Sequence, residues 1–390
     1  MRQTVAFGRI AGIPVGASWS AIVTLAVIVN LLASSALPAA VPRQPAALYW
    51  GVGAAGAVAF LASLLAHELA HALVARRHGI RIRSVTLWML GGVTQLDGDP
   101  DTPGADLRIA LAGPAASVAA GALFLGVAAV ISYGGGPRVA TAAMTWLAVM
   151  NGLLAVFNLL PGAPLDGGRV LRAALWHHWG DRYRAERGAA SAGRVIGTVL
   201  AFLGVAEFLL TRDFVGGLWL VLLGWFLTSA ASAEQSAATA RALLAGVRVA
   251  DVMTPDPDLA AGWLTVAEFI RQLGSWPPQA AFPVIGPDGR LASIVTISRL
   301  SRVPAQSQPQ VRLRQLAVPV PAESLASPAD PAAPLLTRDP LGGEVVAVVE
   351  HGGRIAGMVT TENMRQVLRL RKLGDVSGGP GSLTPPGARP

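Results

Sequence analysis

Long apolar stretches separated by short polar loops dominate the first 231 residues of this chain. A helix needs about 20 apolar residues to cross a hydrocarbon core about 30 Å thick. Stretches of this kind occupy residues 17–36, 48–74, 107–133, 139–160, 195–210 and 214–231. The pattern therefore predicts a polytopic α-helical membrane domain with six transmembrane helices over residues 1–231.

Arginines flank these stretches unevenly. One set of loops holds most of them, whereas the alternate loops hold Arg43, Arg138 and Arg212. Because positive residues stay on the cytoplasmic side, both termini are expected in the cytoplasm of a multi-pass cell-membrane protein. The first stretch lacks a convincing small-x-small cleavage site, and its removal as a signal peptide would leave an odd number of spans.

The pattern changes after residue 231, where charge, proline and alternating apolar residues return. Residues 232–246 are predicted to form a helical linker. Two similar segments then follow, 247–310 and 311–373, each closing with a hydrophobic strand and a polar helix start. A repeat of about 64 residues predicts a pair of small α/β modules that bury their faces on each other. The Gly-, Pro- and Ser-rich tail, 374–390, is predicted to be disordered.

Composition narrows the class of protein further. Hydrophobic residues make up 52% of the chain and charged residues 14%, against about 25% charged in an average soluble domain. The net charge of +8 lies largely in loops that would face anionic lipid, and no basic run with interleaved aromatics is present, so we expect no nucleic-acid partner. Cysteine is absent, which excludes disulfides and thiolate metal sites.

One motif carries chemistry: His67-Glu68-Leu69-Ala70-His71, near the end of the second stretch. Polar groups in hydrocarbon persist when they are paired, hydrated or bound to metal. Residues four apart share a helix face, so both imidazoles can reach one ion while Glu68 holds a water beside it. The motif predicts metal-assisted hydrolysis inside a membrane rather than an exposed polar face.

A catalytic zinc needs three protein ligands and one open position. Asp166 is the best third ligand, because Pro161 and Pro164 end the fourth stretch and Gly167 and Gly168 permit a tight non-helical backbone beside the motif. The rivals, ranked lower, are Asp97, Asp99, Asp101, His177 and His178.

With His67-Glu68-x-x-His71 and Asn158-x-x-Pro161-x-x-Pro164-Leu165-Asp166-Gly167-Gly168-Arg169, the chain resembles the site-2 protease family of intramembrane zinc metalloproteases. It is most similar to the bacterial branch with a C-terminal pair of cystathionine-β-synthase-type (CBS) domains. The resemblance implies that His67, His71 and Asp166 bind one Zn²⁺ per chain and that Glu68 is the general base. Asn158 would hold the substrate or, about equally, the broken helix.

A second stretch, residues 79–94, alternates polar and apolar residues and is similar to the family's membrane-edge β-hairpin. We expect its turn at Gly91 and Gly92, with these glycines binding an unwound substrate that pairs with the strand edge. Small residues from Ala112 to Ser117 would let the third helix approach a neighbour closely.

The resemblance implies an intramembrane zinc endopeptidase that cuts a transmembrane or membrane-associated protein, such as an anti-sigma or pro-sigma factor. The CBS pair would modulate this activity and join two chains as a homodimer. Nucleotide-binding CBS domains carry Asp three residues after a strand-ending Ser or Thr, whereas here Thr296 precedes Arg299 and Thr360 precedes Asn363. The alternative is a CBS-regulated transporter or channel, which would not explain the two matched motifs.

Overall fold

The computed structural model describes residues 4–89, 91–211, 214–273, 279–288, 290–352 and 354–376. The chain divides into two compact units, Met1–Ala238 and Thr239–Pro390. Arg212 and most of the tail that we predicted to be disordered lie outside the described residues.

A four-stranded sheet and the first spans open the N-terminal unit. Strands β1 (Val5–Ile10) and β2 (Ile13–Ala17) form a hairpin. The first span is α1 (Ser20–Leu31), a π-helical turn (Leu32–Ala36) and α2 (Leu37–Ala40), and the second is α3 (Ala46–Arg77). Strands β3 (Arg81–Trp88) and β4 (Gly91–Asp97) complete the sheet in the order β1-β2-β3-β4, so β4 is an edge strand.

Five further helices follow in this part of the chain. Their bounds are α4 (Pro103–Tyr133), α5 (Arg138–Asn158), α6 (Asp166–Trp179), α7 (Arg182–Thr211) and α8 (Phe214–Leu243). Thr102 caps α4, since its Oγ1 accepts a hydrogen bond from the Ala105 N–H at 3.2 Å, and Pro103 takes the first helical position. Gly180, in the left-handed region at φ 70°, ends α6.

Six helices among the described residues are long and apolar enough to cross a membrane. They are Ser20–Ala40, Ala46–Arg77, Pro103–Tyr133, Arg138–Asn158, Arg182–Thr211 and Phe214–Leu243. In the third of them 11% of the most apolar window is buried inside the protein, so most of its side chains face the surroundings that lipid would occupy. The predicted six spans are confirmed.

The predicted hairpin is also confirmed, but its turn lies elsewhere. Trp88 pairs with Gly91, so the chain reverses between these two residues, and Gly91 and Gly92 are the first residues of β4. Leu90 lies outside the described residues. Gly91 adopts φ 147°, a conformation that residues with a side chain rarely take, so the glycine is needed at the strand entry rather than inside the turn.

The C-terminal unit contains two similar α/β halves. The first holds α9 (Val249–Val252), β5 (Thr254–Pro255), β6 (Ala260–Ala261), α10 (Val266–Leu273), β7 (Ala281–Ile285), β8 (Leu291–Thr296) and α11 (Ile297–Leu300). The second holds α12 (Leu313–Leu316), β9 (Val318–Pro319), β10 (Leu325–Ala326), β11 (Val345–His351), β12 (Arg354–Thr360) and α13 (Thr361–Val376), with 3₁₀ turns at Ala322–Ser324 and Ala333–Thr337.

The two halves exchange edge strands. One sheet has the order β6-β7-β8-β9 and the other β10-β11-β12-β5, so each takes one short strand from the other half. The opening helices are capped alike: the Arg248 N–H donates to Asp251 Oδ2 and the Arg312 N–H donates to Gln315 Oε1, both at 2.9 Å. The predicted α/β pair is confirmed, while its exact limits, 247–310 and 311–373, stay predictions.

Candidate metal centre

Three side chains from distant parts of the sequence meet inside the N-terminal unit. His67 and His71 lie one turn apart on α3 and are 2% and 6% exposed. Asp166 is the first residue of α6. Its Oδ2 lies 3.1 Å from Nε2 of His67 and 3.2 Å from Nε2 of His71, and the two Nε2 atoms are 3.2 Å apart. These three ligand atoms form a compact triangle.

Helix α4 fixes the orientation of both imidazoles. Nδ1 of His71 donates to the Ile109 carbonyl at 2.7 Å. Because a carbonyl only accepts, Nδ1 carries the proton and Nε2 presents a lone pair. Nδ1 of His67 lies 2.8 Å from Oγ of Ser117, which is fully buried and holds this ring in the same manner. Such outer partners are the usual means of orienting metal-binding histidines.

This donor set fits a zinc ion. The Ile109 carbonyl fixes the tautomer of His71, and a Ser117 hydroxyl that accepts from Nδ1 gives His67 the same one. Two imidazole lone pairs and a carboxylate oxygen then converge, and a cation relieves their repulsion. A tetrahedral zinc with bonds of about 2.0–2.1 Å separates its ligand atoms by about 3.3–3.4 Å, close to the 3.1–3.2 Å found here.

Gly113 keeps space open beside the triangle. A Cβ added to this residue would lie 2.5 Å from Nε2 of His67 and 2.7 Å from Cε1 of His71. Real Cβ atoms do not approach other atoms so closely, so any larger residue would displace a ring. The glycine of the Ala112–Ser117 segment therefore serves the centre as well as the packing of α4 on α3.

Glu68 lies against the edge strand of the sheet. Its Oε2 accepts a hydrogen bond from Thr94 Oγ1 at 2.8 Å. A Cβ added to Gly92 would lie 2.8 Å from Oε1 of Glu68. Gly92 and Thr94 are two residues apart on β4 and so share one face, which is the face that contacts the carboxylate.

A tightly packed non-helical segment, 159–165, delivers Asp166. A Cβ on Gly167 would strike the carbonyls of Leu159 and Leu160, and one on Gly168 would strike the backbone of Ala163. The Ala163 N–H donates to the Ala189 carbonyl of α7 at 3.1 Å. The two glycines thus let the chain turn back on itself, and α7 holds the turn in place.

The rival ligands lie elsewhere. Among the described residues, His67, His71 and Asp166 form the group that could hold a metal. Asp99 pairs with Arg182 at 2.8 Å, and His177 and His178 are exposed in the last turn of α6. Asp101 is exposed, and the side chain of Asp97 lies outside the described residues. Asn158 is the last residue of α5 and is half-buried.

Sequence reasoning missed four contributions to the centre: the Ile109 carbonyl, the Ser117 hydroxyl, the Thr94 hydroxyl and the space at Gly113. Each depends on a contact between separate elements. A weak signal existed for three of them, because Ile109, Gly113 and Ser117 recur at the spacing of one helix face.

Comparisons with known proteins identify the family of this chain. The model of peptidase family M50 matches residues 55–134 and 135–204. Rip3 of Mycobacterium tuberculosis, named as a zinc metalloprotease, is 44% identical over 374 residues, which cover 96% of this chain and 95% of Rip3. The protein sll0528 of Synechocystis, also named as a zinc metalloprotease, is 32% identical over 81% of this chain and 82% of its own.

A solved structure is also similar. The site-2 protease of Methanocaldococcus jannaschii is 28% identical, with a TM-score of 0.41, and the match covers 59% of this chain and 94% of that one. The identity to Rip3 over nearly the whole of both chains is decisive for the family. The chain therefore belongs to peptidase family M50, the site-2 protease family of intramembrane zinc metalloproteases.

Proposed function

We propose that His67, His71 and Asp166 hold one zinc ion per chain and that Glu68 moves the protons of peptide hydrolysis. The observation that carries this proposal is the convergence of two Nε2 atoms and one Oδ2 atom, 3.1–3.2 Å apart, with both rings held through Nδ1. Family membership makes the chain an intramembrane zinc protease and favours this function over the transporter that the sequence left open.

Zinc supplies Lewis acidity, which polarises a carbonyl and acidifies water. Thr94 occupies Oε2 of Glu68, so we assign the proton transfers to Oε1. This oxygen accepts a proton from the attacking water and returns it to the nitrogen of the departing amine. The buried imidazoles, fixed by Ile109 and Ser117, keep their geometry throughout.

The free edge of β4 is the proposed seat of the substrate. An edge strand has unpaired N–H and C=O groups that can add an extended peptide. Gly92 and Thr94 contact Glu68 from this strand, so a peptide paired along β4 would run beside the general base. Gly91 and Gly92 are the proposed substrate contacts, and Asn158 keeps two roles, holding the substrate or the break after α5.

The proposed substrate is a transmembrane or membrane-associated protein cut near its cytoplasmic end, in the class of anti-sigma or pro-sigma factors. A substrate helix must first unwind to pair with β4. The C-terminal halves are proposed to be CBS-type modules that modulate cleavage and join two chains. Their exchanged edge strands make the pair one body, which suits a platform role.

Purified variants test the assignment of ligands and base. Glu68→Gln is expected to retain about one zinc per chain and to lose cleavage, whereas His71→Ala and Asp166→Ala lose both. Zinc is measured by mass spectrometry and needs no substrate. Cleavage is measured on proteins trapped by Glu68→Gln in native membranes.

His178→Ala, an exposed histidine on α6, is the matched control for these ligand variants. It should keep zinc and activity. Cleavage by Glu68→Gln, or full zinc content in Asp166→Ala, would contradict the assignment.

The orientation that we propose places both termini and the metal centre on the cytoplasmic side, as the arginine distribution favours. Cysteines replacing Arg43 and Arg138 in this Cys-free chain should react with an impermeant thiol reagent added outside intact cells. A cysteine replacing Arg365, an exposed residue of α13, should react after lysis. The reverse pattern would invert the topology.

A further inference from the structure

A buried charge cluster lies beside the metal centre. Asp106, in the first turn of α4, is fully buried. Its carboxylate accepts two hydrogen bonds from Arg172, from Nε to Oδ2 at 2.8 Å and from Nη2 to Oδ1 at 2.6 Å. Arg169 Nη2 adds a contact of 3.3 Å. This two-point pairing is the strong form of a charge-assisted hydrogen bond, and neither zinc binding nor proton transfer uses it directly.

The cluster acts on the helix that carries Asp166. Asp166, Arg169 and Arg172 follow one another at three-residue steps on α6, so they lie towards the same side of that helix. That side meets α4 through Asp106. Because the segment before Asp166 is non-helical, the place of α6 along α4 determines how far the Asp166 carboxylate reaches.

The same face of α4 serves the imidazoles. Asp106, Ile109, Gly113 and Ser117 recur at helical spacing on this face. Ile109 holds His71 and Ser117 holds His67, while Asp106 holds α6. Helix α4 therefore contacts both histidine ligands directly and the third ligand, Asp166, through the helix that carries it.

The cluster extends to α7 and alternates in sign. Arg172 Nη1 lies 3.6 Å from Glu186 Oε1, which lies 3.3 Å from Arg182 Nε, and Arg182 pairs with Asp99. Burial lowers the pKa of the Arg172 guanidinium, but Asp106 and Glu186 raise it overall, so this side chain stays charged. Buried charges persist only when they are paired and hydrogen-bonded.

We propose that Asp106 and Arg172 are positioning residues whose ion pair sets the location of α6 and so the reach of Asp166 to the zinc. The proposal rests on the assignment of Asp166 as a ligand. It extends the function of Asp106 and Arg172 from holding the fold to tuning the metal affinity of the centre.

Zinc affinity of the detergent-solubilised full chain, measured by competition with a chromogenic chelator, tests this role. Asp106→Asn should weaken zinc binding about 10- to 100-fold, the range typical of outer-shell changes. Since that variant leaves Arg172 without its carboxylate, Asp106→Asn/Arg172→Gln removes both charges and spares the fold. The double variant should regain thermal stability but not zinc affinity.

If neither of those variants folds, Arg172→Lys tests whether the ion pair affects zinc affinity. It keeps the charge but not the two parallel hydrogen bonds, and its zinc affinity should fall about tenfold. Glu362→Gln is the matched control, because it breaks the exposed 3.5 Å pair with Arg365 on α13 and should change nothing.

A stable double variant or Arg172→Lys with wild-type zinc affinity would overturn the positioning role. Asp166→Ala separates the two proposals. If Asp166→Ala itself retains wild-type affinity, the ligand assignment fails. If it loses zinc while the Asp106 and Arg172 variants keep it, only the positioning role fails.

Discussion

Two polar clusters in this protein differ in how their hydrogen-bond donors and acceptors are matched. In the N-terminal unit, His67, His71 and Asp166 turn three acceptor atoms towards one point. In the C-terminal unit, Asn363 Oδ1 accepts from the N–H and the hydroxyl of Thr360 at 2.9 and 2.6 Å, and its Nδ2 donates to Thr254 at 3.1 Å.

The difference shows which kind of polar burial indicates a ligand. The Thr360 and Asn363 pair is a capping box at the start of α13, in which donors and acceptors satisfy each other. When both rings carry their proton on Nδ1, towards Ile109 and Ser117, the two Nε2 atoms and Asp166 Oδ2 meet as three acceptors, which a cation would satisfy. An unbalanced set of acceptors is therefore a stronger sign of a binding site than burial or polarity alone.

The largest expected effect comes from filling the space beside His67 and His71. Gly113→Ala would place a methyl group against both imidazoles, and we expect zinc content to fall at least about tenfold, with cleavage lost. Alanine is a better helix former than glycine, so α4 itself should not weaken.

Gly126→Ala is the control for this change. Gly126 lies on the same helix with nothing within 4 Å of an added Cβ, and this variant should keep its zinc. Equal zinc content in the two variants, by mass spectrometry, would show that the space at Gly113 is not part of the centre.

A smaller effect is expected from removing the hydrogen-bond partner of the proposed base, Glu68. Thr94→Val removes the hydrogen bond to Glu68 Oε2 with little change of shape. We expect kcat to fall about 10- to 150-fold, since a hydrogen bond to a charged group contributes about 1.5–3 kcal/mol, while zinc content stays constant. Thr145→Val, whose hydroxyl bonds to its own helix at Thr141, should match the parent chain. Loss of zinc from Thr94→Val would assign Thr94 to the fold instead.

The smallest effect is expected at the capping box formed by Thr360 and Asn363. Because Asn363 is already engaged and Arg299 replaces the other carboxylate, ATP, ADP and AMP should bind the full chain with Kd of about 1 mM or weaker, near −4 kcal/mol. Isothermal calorimetry measures this. Micromolar binding that disappears in Thr360→Val would show that the capping box opens for a nucleotide. Asn363→Asp restores the carboxylate and serves as the gain-of-binding control.

Local pattern predicts much of this molecule. Apolar length gave the six spans, and a repeated strand-and-helix pattern gave the C-terminal pair. The residues His67, His71 and Asp166, which the structure brings together, were found from two motifs because metal chemistry limits both residue type and spacing.

The features that the sequence did not predict depend on contacts between separate helices and strands. Strands β1 and β2 escaped prediction, since β1 pairs with β2 and β2 joins β3 in a register that places Val15 opposite Val85, which their own short pattern does not show. Thr94 has an ordinary local environment in sequence, and only its distance to Glu68 reveals it. Gly113 shares a helix face with Ile109 and Ser117, but only its distance to the imidazoles shows what it does there. The hairpin turn was misplaced because glycine suits both a turn and a strand entry.

Helix α4 contacts both histidine ligands and the helix that carries Asp166 from one face. Asp106, Ile109, Gly113 and Ser117 all lie along that face. A shift of this helix would alter both rings and the helix that carries Asp166 at the same time. We therefore expect movement of α4 to displace the three proposed ligands together rather than one by one.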